Sequence, residues 1–377
     1  MVLSFWEYES FFKNLDVVVL GSGIVGLSAA ISLKEKHPKM NIAIVERGFL
    51  PYGASTRNAG FACFGSISEL LDDLENSSED EVLSITELRY SGLKKLRNRL
   101  GDDAIHYQEL GGMEIFRPSD SHEFEKCASS LTYFNKIMAG ITGKQQTYQL
   151  LDGNAGLRFG FRNISQIILN TCEGQINTGE MMKSLLLLAQ KLGILFLNGL
   201  TIETVHENGT SVTLTTDKGW SFTAPRLLVC TNGFAQKLLP EIDVVPARNQ
   251  VIITEPIENL TVKGCFHYDR GYFYFRNVGN RILLGGGRNL DFKGEQTAEF
   301  GSSPIIQEGL RTLLADVILP NQKVEIERTW SGILGLGRTK RPIIEKVSPN
   351  IAAAVRMGGM GVAIGSLVGE MGAELVL

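Results

Sequence analysis

The chain contains 377 residues, of which 44% are hydrophobic and 21% are charged. This amount of apolar material is enough to bury a large core divided between two lobes, and it argues against a disordered chain. The 37 basic and 41 acidic residues give a net charge of -4, and no Lys/Arg block is long enough to follow a phosphate backbone. Nucleic acid is therefore not an expected partner.

Cysteine usage and the two chain ends favour a protein of the reducing cytoplasm without a membrane span. No C-x-x-C pair occurs, so neither a disulfide framework nor a zinc site is predicted. The first residues carry acids where an export signal would have a cationic start and an apolar stretch. Residues 351–377 are apolar and glycine-rich, but Arg356, Glu370 and Glu374 interrupt them, which favours a buried helix over a span. The five cysteines are Cys63, Cys127, Cys172, Cys230 and Cys265.

The first chemical signal is a predicted strand-helix-strand unit near the start of the chain. Residues 15–20 form a β-branched apolar run, which is typical of a strand buried on both faces of a parallel sheet. Small and apolar residues then recur at helical spacing from residue 24 to about residue 36. Residues 41–45 read as a second buried strand, which ends at Glu46.

The turn inside this unit, Gly21-Ser22-Gly23-Ile24-Val25-Gly26, fits the dinucleotide-binding pattern G-x-G-x-x-G. Gly21 permits the tight turn, Gly23 lets the backbone approach a pyrophosphate, and Gly26 allows close helix packing. The helix start directs its free N–H groups at the pyrophosphate, and Glu46 is placed to accept hydrogen bonds from ribose hydroxyls. These features predict a dinucleotide site but leave FAD and NAD as alternatives.

The segment Gly53-Ala54-Ser55-Thr56-Arg57-Asn58-Ala59-Gly60-Phe61 resembles the D-amino-acid oxidase superfamily of FAD-dependent amine and amino-acid oxidoreductases. The resemblance implies FAD, because in that family the segment runs along the pyrophosphate and ribityl chain toward the flavin ring. The cofactor contacts that it implies here are Arg47, Ala54, Ser55, Arg57, Asn58, Ala59, Gly60 and Phe61.

Later segments extend the resemblance over nearly the whole chain. Residues 173–177, 231–234 and 248–251 match in the family's order. The resemblance implies a cofactor contact at Gly233 and, by its position after the strand near Phe196, one at Ile202. The last match, Met357-Gly358-Gly359-Met360-Gly361-Val362-Ala363, resembles the glycine turn that opens the final helix under the flavin's pyrimidine edge. A helix dipole there would stabilise the negative charge of a reduced flavin. The alternative is a glycine turn that only lets the helix pack.

The expected fold class is α/β, with a Rossmann-type FAD-binding domain on a parallel sheet interleaved with a second α+β substrate domain on a mostly antiparallel sheet. The predicted FAD-binding domain comprises residues 1–90, 155–240 and 328–377. The predicted substrate domain comprises residues 91–154 and 241–327.

A strand near residue 274 supplies the candidate catalytic residues. A period of two places Tyr272, Tyr274 and Arg276 on one face. The resemblance implies that Tyr274 closes the substrate cavity over the flavin, whereas the alternative is an ordinary strand with solvated tyrosines. Trp330 is a candidate for the same cavity or for the core. The five histidines fit neither a triad nor a metal site.

Departures from the family concern the cofactor bond and the substrate. Gly332 stands where sarcosine oxidases carry the cysteine that bonds to FAD, so non-covalent FAD is expected. Leu334 and Gly359 stand where glycine oxidases carry arginines, one of which clamps a substrate carboxylate, and this favours an amine. The motif texture is closer to the gamma-glutamylputrescine oxidase branch. Arg276, Arg338 and Arg341 stay open as replacement clamps.

A further departure concerns the electron acceptor. Leu283 falls near the position of the lysine that helps oxygen react in sarcosine oxidases, so both oxygen and another acceptor stay open. The expected activity is oxidation of a C–N bond in a small amine or amino acid to an imine, which water then hydrolyses. The alternatives are an NAD(P)-dependent dehydrogenase and a non-catalytic or nucleic-acid-modifying flavoprotein.

Overall fold

The computed structural model describes residues 2–377. Met1 lies outside the described residues. It is the first residue of the N-terminal stretch that lacks an export signal pattern and of the predicted domain segment 1–90. The helices are α1 (Phe5–Phe11), α2 (Ile24–Lys36), α3 (Ile67–Asn76), α4 (Glu79–Leu100), α5 (Ser121–Thr142), α6 (Ala155–Arg158), α7 (Thr178–Lys191), α8 (Pro304–Leu313) and α9 (Gly361–Glu374).

The first ten strands, in chain order, are β1 (Val17–Leu20), β2 (Ile42–Glu46), β3 (Phe61–Ala62), β4 (Gly112–Phe116), β5 (Tyr148–Leu150), β6 (Gln166–Asn170), β7 (Gly174–Gln175), β8 (Leu195–Asn198), β9 (Ile202–Asn208) and β10 (Ser211–Thr216). The others are β11 (Ser221–Ala224), β12 (Arg226–Val229), β13 (Val245–Thr254), β14 (Cys265–Tyr268), β15 (Phe273–Val278), β16 (Arg281–Gly286), β17 (Ile326–Leu336), β18 (Ile343–Ser348) and β19 (Ile351–Val355).

A six-stranded sheet with the order β18-β19-β12-β1-β2-β8 forms the centre of the first layer system. Its middle strand β1 pairs in parallel with β2 and β12, with Val17 opposite Ile42 and Arg226. Strand β18 pairs antiparallel with β19. Strands β1 and β2 are buried along their whole length, as expected for β-branched runs covered on both faces. The predicted Rossmann-type parallel sheet is therefore confirmed.

Helices α2, α4, α7 and α9 cover one face of this sheet, and the small sheet β9-β10-β11 covers the other. The helices approach closely because small residues lie between them. A Cβ on Gly369 of α9 would collide with the carbonyl oxygen of Val25 and would lie 2.8 Å from the Cβ of Ser28. A Cβ on Gly92 of α4 would likewise collide with the carbonyl oxygen of Ala363.

An eight-stranded sheet with the order β17-β13-β16-β15-β14-β4-β6-β5 forms the second layer system. Its pairs are antiparallel except for β14 with β4. One face packs against α8, and the other, at β4 and β6, packs against α3 and α5. The predicted second, mostly antiparallel sheet is thus present. Strand β6, which pairs with β4 and β5, and strand β17, which pairs with β13, both belong to this sheet. Residues 166–170 and 328–336 nevertheless fall in segments predicted for the FAD-binding domain, and those domain boundaries stay predictions.

Several predicted elements occur at the expected places. The helix at 24–36 and the strand near residue 274 are both found, as α2 and β15. Leu93 and Leu96 of α4 enter the core on the helical face of the six-stranded sheet. Within residues 2–377, no helix combines the length and apolarity needed to cross a membrane.

Alanine substitutions at two helical glycines, one inside the contact between α2 and α9 and one outside it, should have opposite effects on stability. Gly369→Ala should lower the free energy of unfolding by about 1–3 kcal/mol, because the added methyl group overpacks the interface. Gly140→Ala in α5 is the matched control, since nothing lies within 4 Å of its Cβ position, and it should raise stability by about 0.5–1 kcal/mol. Urea unfolding of both variants measures the difference. Equal effects would contradict the packing account.

Candidate active site

A deep cleft opens at the carboxyl ends of β1, β2 and β12, the edge at which open α/β sheets bind ligands. Its empty space, the open mouth included, is about 1320 Å³. The predicted cofactor residues that line it are Gly21, Gly23, Ile24, Val25, Glu46, Arg47, Ala54, Ser55, Asn58, Ile202, Met357, Gly359, Gly361 and Val362.

The other predicted cofactor residues do not line this cleft directly. Gly26 packs the first turn of α2 onto the strand end, because a Cβ there would collide with the carbonyl oxygen of Gly21. Gly233 packs in the same way against the carbonyl oxygen of Leu334. The remaining residues of this group are Arg57, Ala59, Gly60, Phe61, Gly358, Met360 and Ala363.

The start of α2 presents hydrogen-bond donors to the cleft. Gly21 has a φ of 99°, which permits the sharp turn from β1. Gly23 is the N-cap and supplies no side-chain acceptor, but the Oγ of Ser55 accepts a hydrogen bond from the Ile24 N–H at 2.9 Å. The hydroxyl of Ser55 keeps its own proton for an anion in the cleft. The arrangement suits a pyrophosphate at the positive end of the helix dipole.

Glu46 is held in a fixed orientation at the end of β2. Its Oε2 accepts hydrogen bonds from the N–H and the hydroxyl of Ser22 at 3.1 and 2.8 Å, and its Oε1 accepts one from the Gly48 N–H at 2.9 Å. An ionised carboxylate offers about four acceptor positions, so one is left for a ribose hydroxyl.

Two side chains missed by sequence reasoning support a polar ligand in the cleft. Thr231 lines the cleft, and its buried Oγ1 has no hydrogen-bond partner among residues 2–377. Buried hydroxyls are normally paired, so this one is available to a bound molecule. The second side chain is Phe234, whose ring centroid lies 3.9 Å from the guanidinium carbon of Arg47. Arg47 itself was predicted as a cofactor contact. Burial lowers the pKa of Arg47.

The turn before α9 forms the opposite wall. Gly358 and Gly359 have φ values of 57° and 85°, and nothing lies within 4 Å of a Cβ built on Gly359. The Oδ1 of Asn232, at the end of β12, accepts the N–H groups of Arg356 and Met357 at 3.1 and 3.2 Å. No side chain caps the start of α9, and the N–H groups of Gly361 and Val362 have no acceptor among residues 2–377, so these two stay free for a ligand. The donors, the orphaned hydroxyl and the open glycine wall together fit FAD.

Segment 54–61 leads away from this cleft toward the second sheet. The Oδ1 of Asn58 accepts hydrogen bonds from the Gly60 N–H at 2.8 Å and from the Thr178 hydroxyl at 2.9 Å, which fixes the turn. The Phe61 ring then meets the Tyr274 ring edge-on, with centroids 5.4 Å apart.

The three residues predicted to share a face of β15 have different surroundings. The Tyr274 Oη accepts a hydrogen bond from the Asn249 amide nitrogen at 3.1 Å, and burial raises the pKa of this tyrosine. Tyr272 instead packs edge-on against Phe292. Arg276 is buried and donates to the carbonyl oxygens of Ala59 and Ile176.

The three arginines left open as carboxylate clamps all have other partners. Arg276 binds backbone carbonyls, as described above. The side chain of Arg338 is 88% exposed and pairs with Asp243. Arg341 donates a hydrogen bond to the hydroxyl of Ser84.

The positions of departure from the family surround segment 54–61. A Cβ on Gly332 would lie 3.4 Å from the Cβ of Arg57. Leu334 lines the cleft, and Leu283 is buried in a small cluster that also contains Ala59. Trp330 packs against the same cluster and donates its indole N–H to the carbonyl oxygen of Arg57 at 2.9 Å.

The chain combines a Rossmann-type sheet, whose cleft fits FAD, with a second sheet that is mostly antiparallel. This combination defines the class of flavoenzymes that bind FAD on a Rossmann-type domain. The chain belongs to the DAO family of FAD-dependent oxidoreductases, which it matches over residues 16–375. It is therefore an FAD-dependent oxidoreductase.

Individual relatives agree with this assignment. The chain is 26% identical to the gamma-glutamylputrescine oxidoreductase of Escherichia coli strain K12, over 96% of this chain and 83% of that protein. It is 25% identical to a probable oxidoreductase, OrdL, of Rhizobium meliloti, over 97% and 83% respectively. Among solved structures, glycine oxidase from Bacillus cereus has a TM-score of 0.76 at 19% identity, covering 96% of this chain and 94% of that chain. L-proline dehydrogenase from P. horikoshii has the same TM-score at 16% identity, covering 97% and 94%.

The fixed carboxylate of Glu46 makes a prediction for cofactor affinity. Glu46→Gln should weaken FAD binding roughly 10- to 100-fold, because hydrogen bonds to a charged group contribute about 1.5–3 kcal/mol. Titration of the apoprotein with FAD, followed by quenching of flavin fluorescence, measures the change. Glu203→Gln, on the exposed face of β9, is the control and should bind FAD like the unaltered chain. Equal affinities for the two variants would exclude Glu46 as a cofactor contact.

Proposed function

We propose that the protein oxidises the C–N bond of a small amine at the Phe61–Tyr274 side of segment 54–61, with FAD bound non-covalently in the cleft. FAD, when bound, supplies a two-electron acceptor that side chains cannot provide. The substrate α-carbon loses a hydride and the nitrogen lone pair forms the imine double bond. Water then adds to the imine carbon, and a carbonyl compound and ammonia or a smaller amine leave.

The observation that carries this proposal is the unpartnered carbonyl oxygen of Asn249. Its amide nitrogen is engaged by Tyr274, whereas its Oδ1 is buried and has no donor among residues 2–377. A buried acceptor costs free energy until a donor reaches it. The N–H of an amine is such a donor, and the bond would hold the nitrogen in place.

The wall around this acceptor favours an amine over an amino acid. The wall is apolar, because it is formed by Phe61, Trp330 and Leu283. The nearby guanidinium of Arg276 donates its hydrogen bonds to the backbone carbonyl oxygens of Ala59 and Ile176. A substrate carboxylate would therefore be desolvated without a bidentate partner. The E. coli relative, whose name gives gamma-glutamylputrescine as its substrate, supports a C–N bond as the point of attack.

One observation favours a second candidate, an amine that also carries a carboxylate. The guanidinium of Arg288 lies against the Phe292 ring, 4.7 Å from its centroid, and forms no ion pair in the part of the chain that the structure describes. Burial lowers the pKa of Arg288. Glycine oxidase and iminodiacetate oxidase, whose folds match this one, are named for substrates of this kind.

The electron acceptor is proposed from the surroundings of Leu283. This side chain packs with Ala59 and Val251. Because leucine is apolar, it supplies no charge that could assist the reduction of oxygen. The alternative to oxygen is therefore an acceptor such as a quinone. Stopped-flow reoxidation in air at the rate of an oxidase would exclude this alternative.

An anaerobic screen tests the proposed activity. Primary amines and polyamines should bleach the bound flavin in the dark, because the hydride reaches it without oxygen. N-methyl amino acids and D-amino acids should act more slowly, unless Arg288 binds their carboxylate. A flavin that light reduces but none of these compounds reduces would refute the activity and favour a non-catalytic role.

The Asn249 contact has its own variant within this screen. Asn249→Ala should lower kcat/KM for the best amine about 10-fold, which corresponds to the loss of one hydrogen bond of about 1.4 kcal/mol in the transition state. Asn208→Ala, at the exposed end of β9, is the control. FAD content should be unchanged in both. If Asn249→Ala kept full activity, the amine would have to bind elsewhere.

Non-covalent FAD is tested by acid precipitation. Gly332 offers no thiol beside segment 54–57, and the five cysteines are buried in the fold, so the yellow colour should leave with the supernatant. Cys230 is the cysteine that lines the cleft, so it is the thiol to test for a covalent bond to FAD. Colour retained on the pellet of the unaltered chain, and lost in Cys230→Ala, would replace this proposal with a covalent link.

A further inference from the structure

Three potential metal ligands converge on the face of the second sheet that carries Tyr274 and Arg276. The Sγ of Cys63, a carboxylate oxygen of Glu173 and an imidazole nitrogen of His267 all lie within 4.8 Å of one another. Their side chains come from β14 and from the segments next to β3 and β7. The residues are 3%, 1% and 7% exposed.

The imidazole of His267 has an unexplained nitrogen. Its Nε2 is buried without a hydrogen-bond partner among residues 2–377, and the Oε2 of Glu173 lies 3.7 Å away. The other oxygen of Glu173 is fixed by the N–H groups of Phe64 and Gly65, at 2.8 and 3.0 Å. The free oxygen and the free nitrogen therefore face a common point. A buried polar atom without a partner is rare, and it indicates a ligand.

The separations fit a small, borderline-soft cation. Two nitrogen or oxygen ligands at about 2.1 Å from a tetrahedral Zn²⁺ ion are roughly 3.4 Å apart, and a thiolate is roughly 3.6 Å from either. The 3.7 Å between His267 and Glu173 is already close to this value. Thiolate, imidazole and carboxylate together are typical ligands of zinc, whereas magnesium and calcium prefer oxygen alone.

We propose that Cys63, Glu173 and His267 bind one Zn²⁺ ion and that Cys265 completes its four ligands. Cys265 precedes His267 by two residues on β14, so the two side chains share a face. The Sγ of Cys265 donates to the carbonyl oxygen of Gly174 at 3.1 Å, and the Sγ of Cys63 approaches the same oxygen at 3.9 Å. Both sulfurs therefore lie next to the carbonyl oxygen of Gly174, the residue that follows Glu173.

Arg276 gives an independent reason for negative charge at this place. It is 6% exposed, it pairs directly with Cys265 across β14 and β15, and no carboxylate of the described residues forms an ion pair with it. An unpaired buried cation is costly. Two thiolates and the Glu173 carboxylate around Zn²⁺ leave one negative charge, which the guanidinium neutralises. The loaded cluster and Arg276 are thus neutral together.

The ion would connect the proposed substrate wall to the segment beneath it. Phe61 precedes Cys63 by two residues, and its ring lies 5.3 Å from the imidazole of His267, measured between centroids. A zinc ion on Cys63 and His267 would hold Phe61 opposite Tyr274. Its role is that of a structural site with four protein ligands, and it adds no step to amine oxidation.

Metal analysis of the intact flavoprotein tests the proposal. Protein produced in zinc-supplemented medium and dialysed without chelator should contain about one Zn²⁺ per chain, as structural sites bind zinc tightly. Replacement by Co²⁺ should give absorption bands of tetrahedral cobalt in the red, where oxidised flavin does not absorb. Less than about 0.1 zinc per chain, both as purified and after incubation with Zn²⁺, would overturn the proposal.

Variants separate a zinc site from a buried His–Glu pair. Cys63→Ala, His267→Gln and Cys265→Ser should each lose the zinc, because each variant removes one of the four proposed ligands. Cys127→Ala removes a buried thiol in α5 and is the matched control, with zinc content unchanged. Where a variant folds poorly, the unaltered protein decides: a strong chelator should lower its melting temperature, and no change would argue against the site. Zinc retained equally by all variants would also refute it.

Discussion

The buried guanidinium of Arg276 is the contact on which the arrangement of the site depends. It projects from the second sheet, yet it donates to Ala59, at the end of the segment that leaves the cofactor cleft, and to Ile176, just before α7. One side chain thus ties the wall that carries Tyr274 to the backbone that leads from the cleft. Because hydrogen bonds of a buried charge are strong and directional, this contact fixes the position of β15 relative to segment 54–61. The same contact removes Arg276 from the candidates for binding a substrate carboxylate.

The cleft itself is built from the ends of secondary-structure elements. Helices α2 and α9 both begin at its wall, and neither N-cap residue supplies a side-chain acceptor, so their positive ends face the cleft. Arg47 adds a formal positive charge at the same cleft. This distribution suits a pyrophosphate at one end and the negative charge of a reduced flavin at the other. The lining is otherwise largely apolar, which strengthens these interactions by excluding water.

The sequence was most informative where the chemistry is local. The turn from Gly21 to Gly26 and the helix at 24–36 depend on neighbours within a few residues, and the structure has them as predicted. The period of two also placed Tyr274 and Arg276 correctly on one face of β15. It could not reveal that Arg276 donates to the backbone, because Ala59 lies 217 residues away in the chain. The orphaned oxygen of Asn249 was equally invisible, since it depends on a cross-strand partner.

The proposed zinc ligands are also far apart in the sequence and come together only in the fold. Cysteine spacing predicts a metal site only when the ligands come from adjacent turns of one short segment, and no such pair occurs in this chain. Here β-sheet pairing does what a short motif does elsewhere, because β3 pairs with β7 and β14 packs beside both through Cys265 and Gly174. In the proposed site, ligands gathered in this way would hold three distant segments together, so loss of the ion would loosen the segment around Phe61 before it affects the Rossmann sheet.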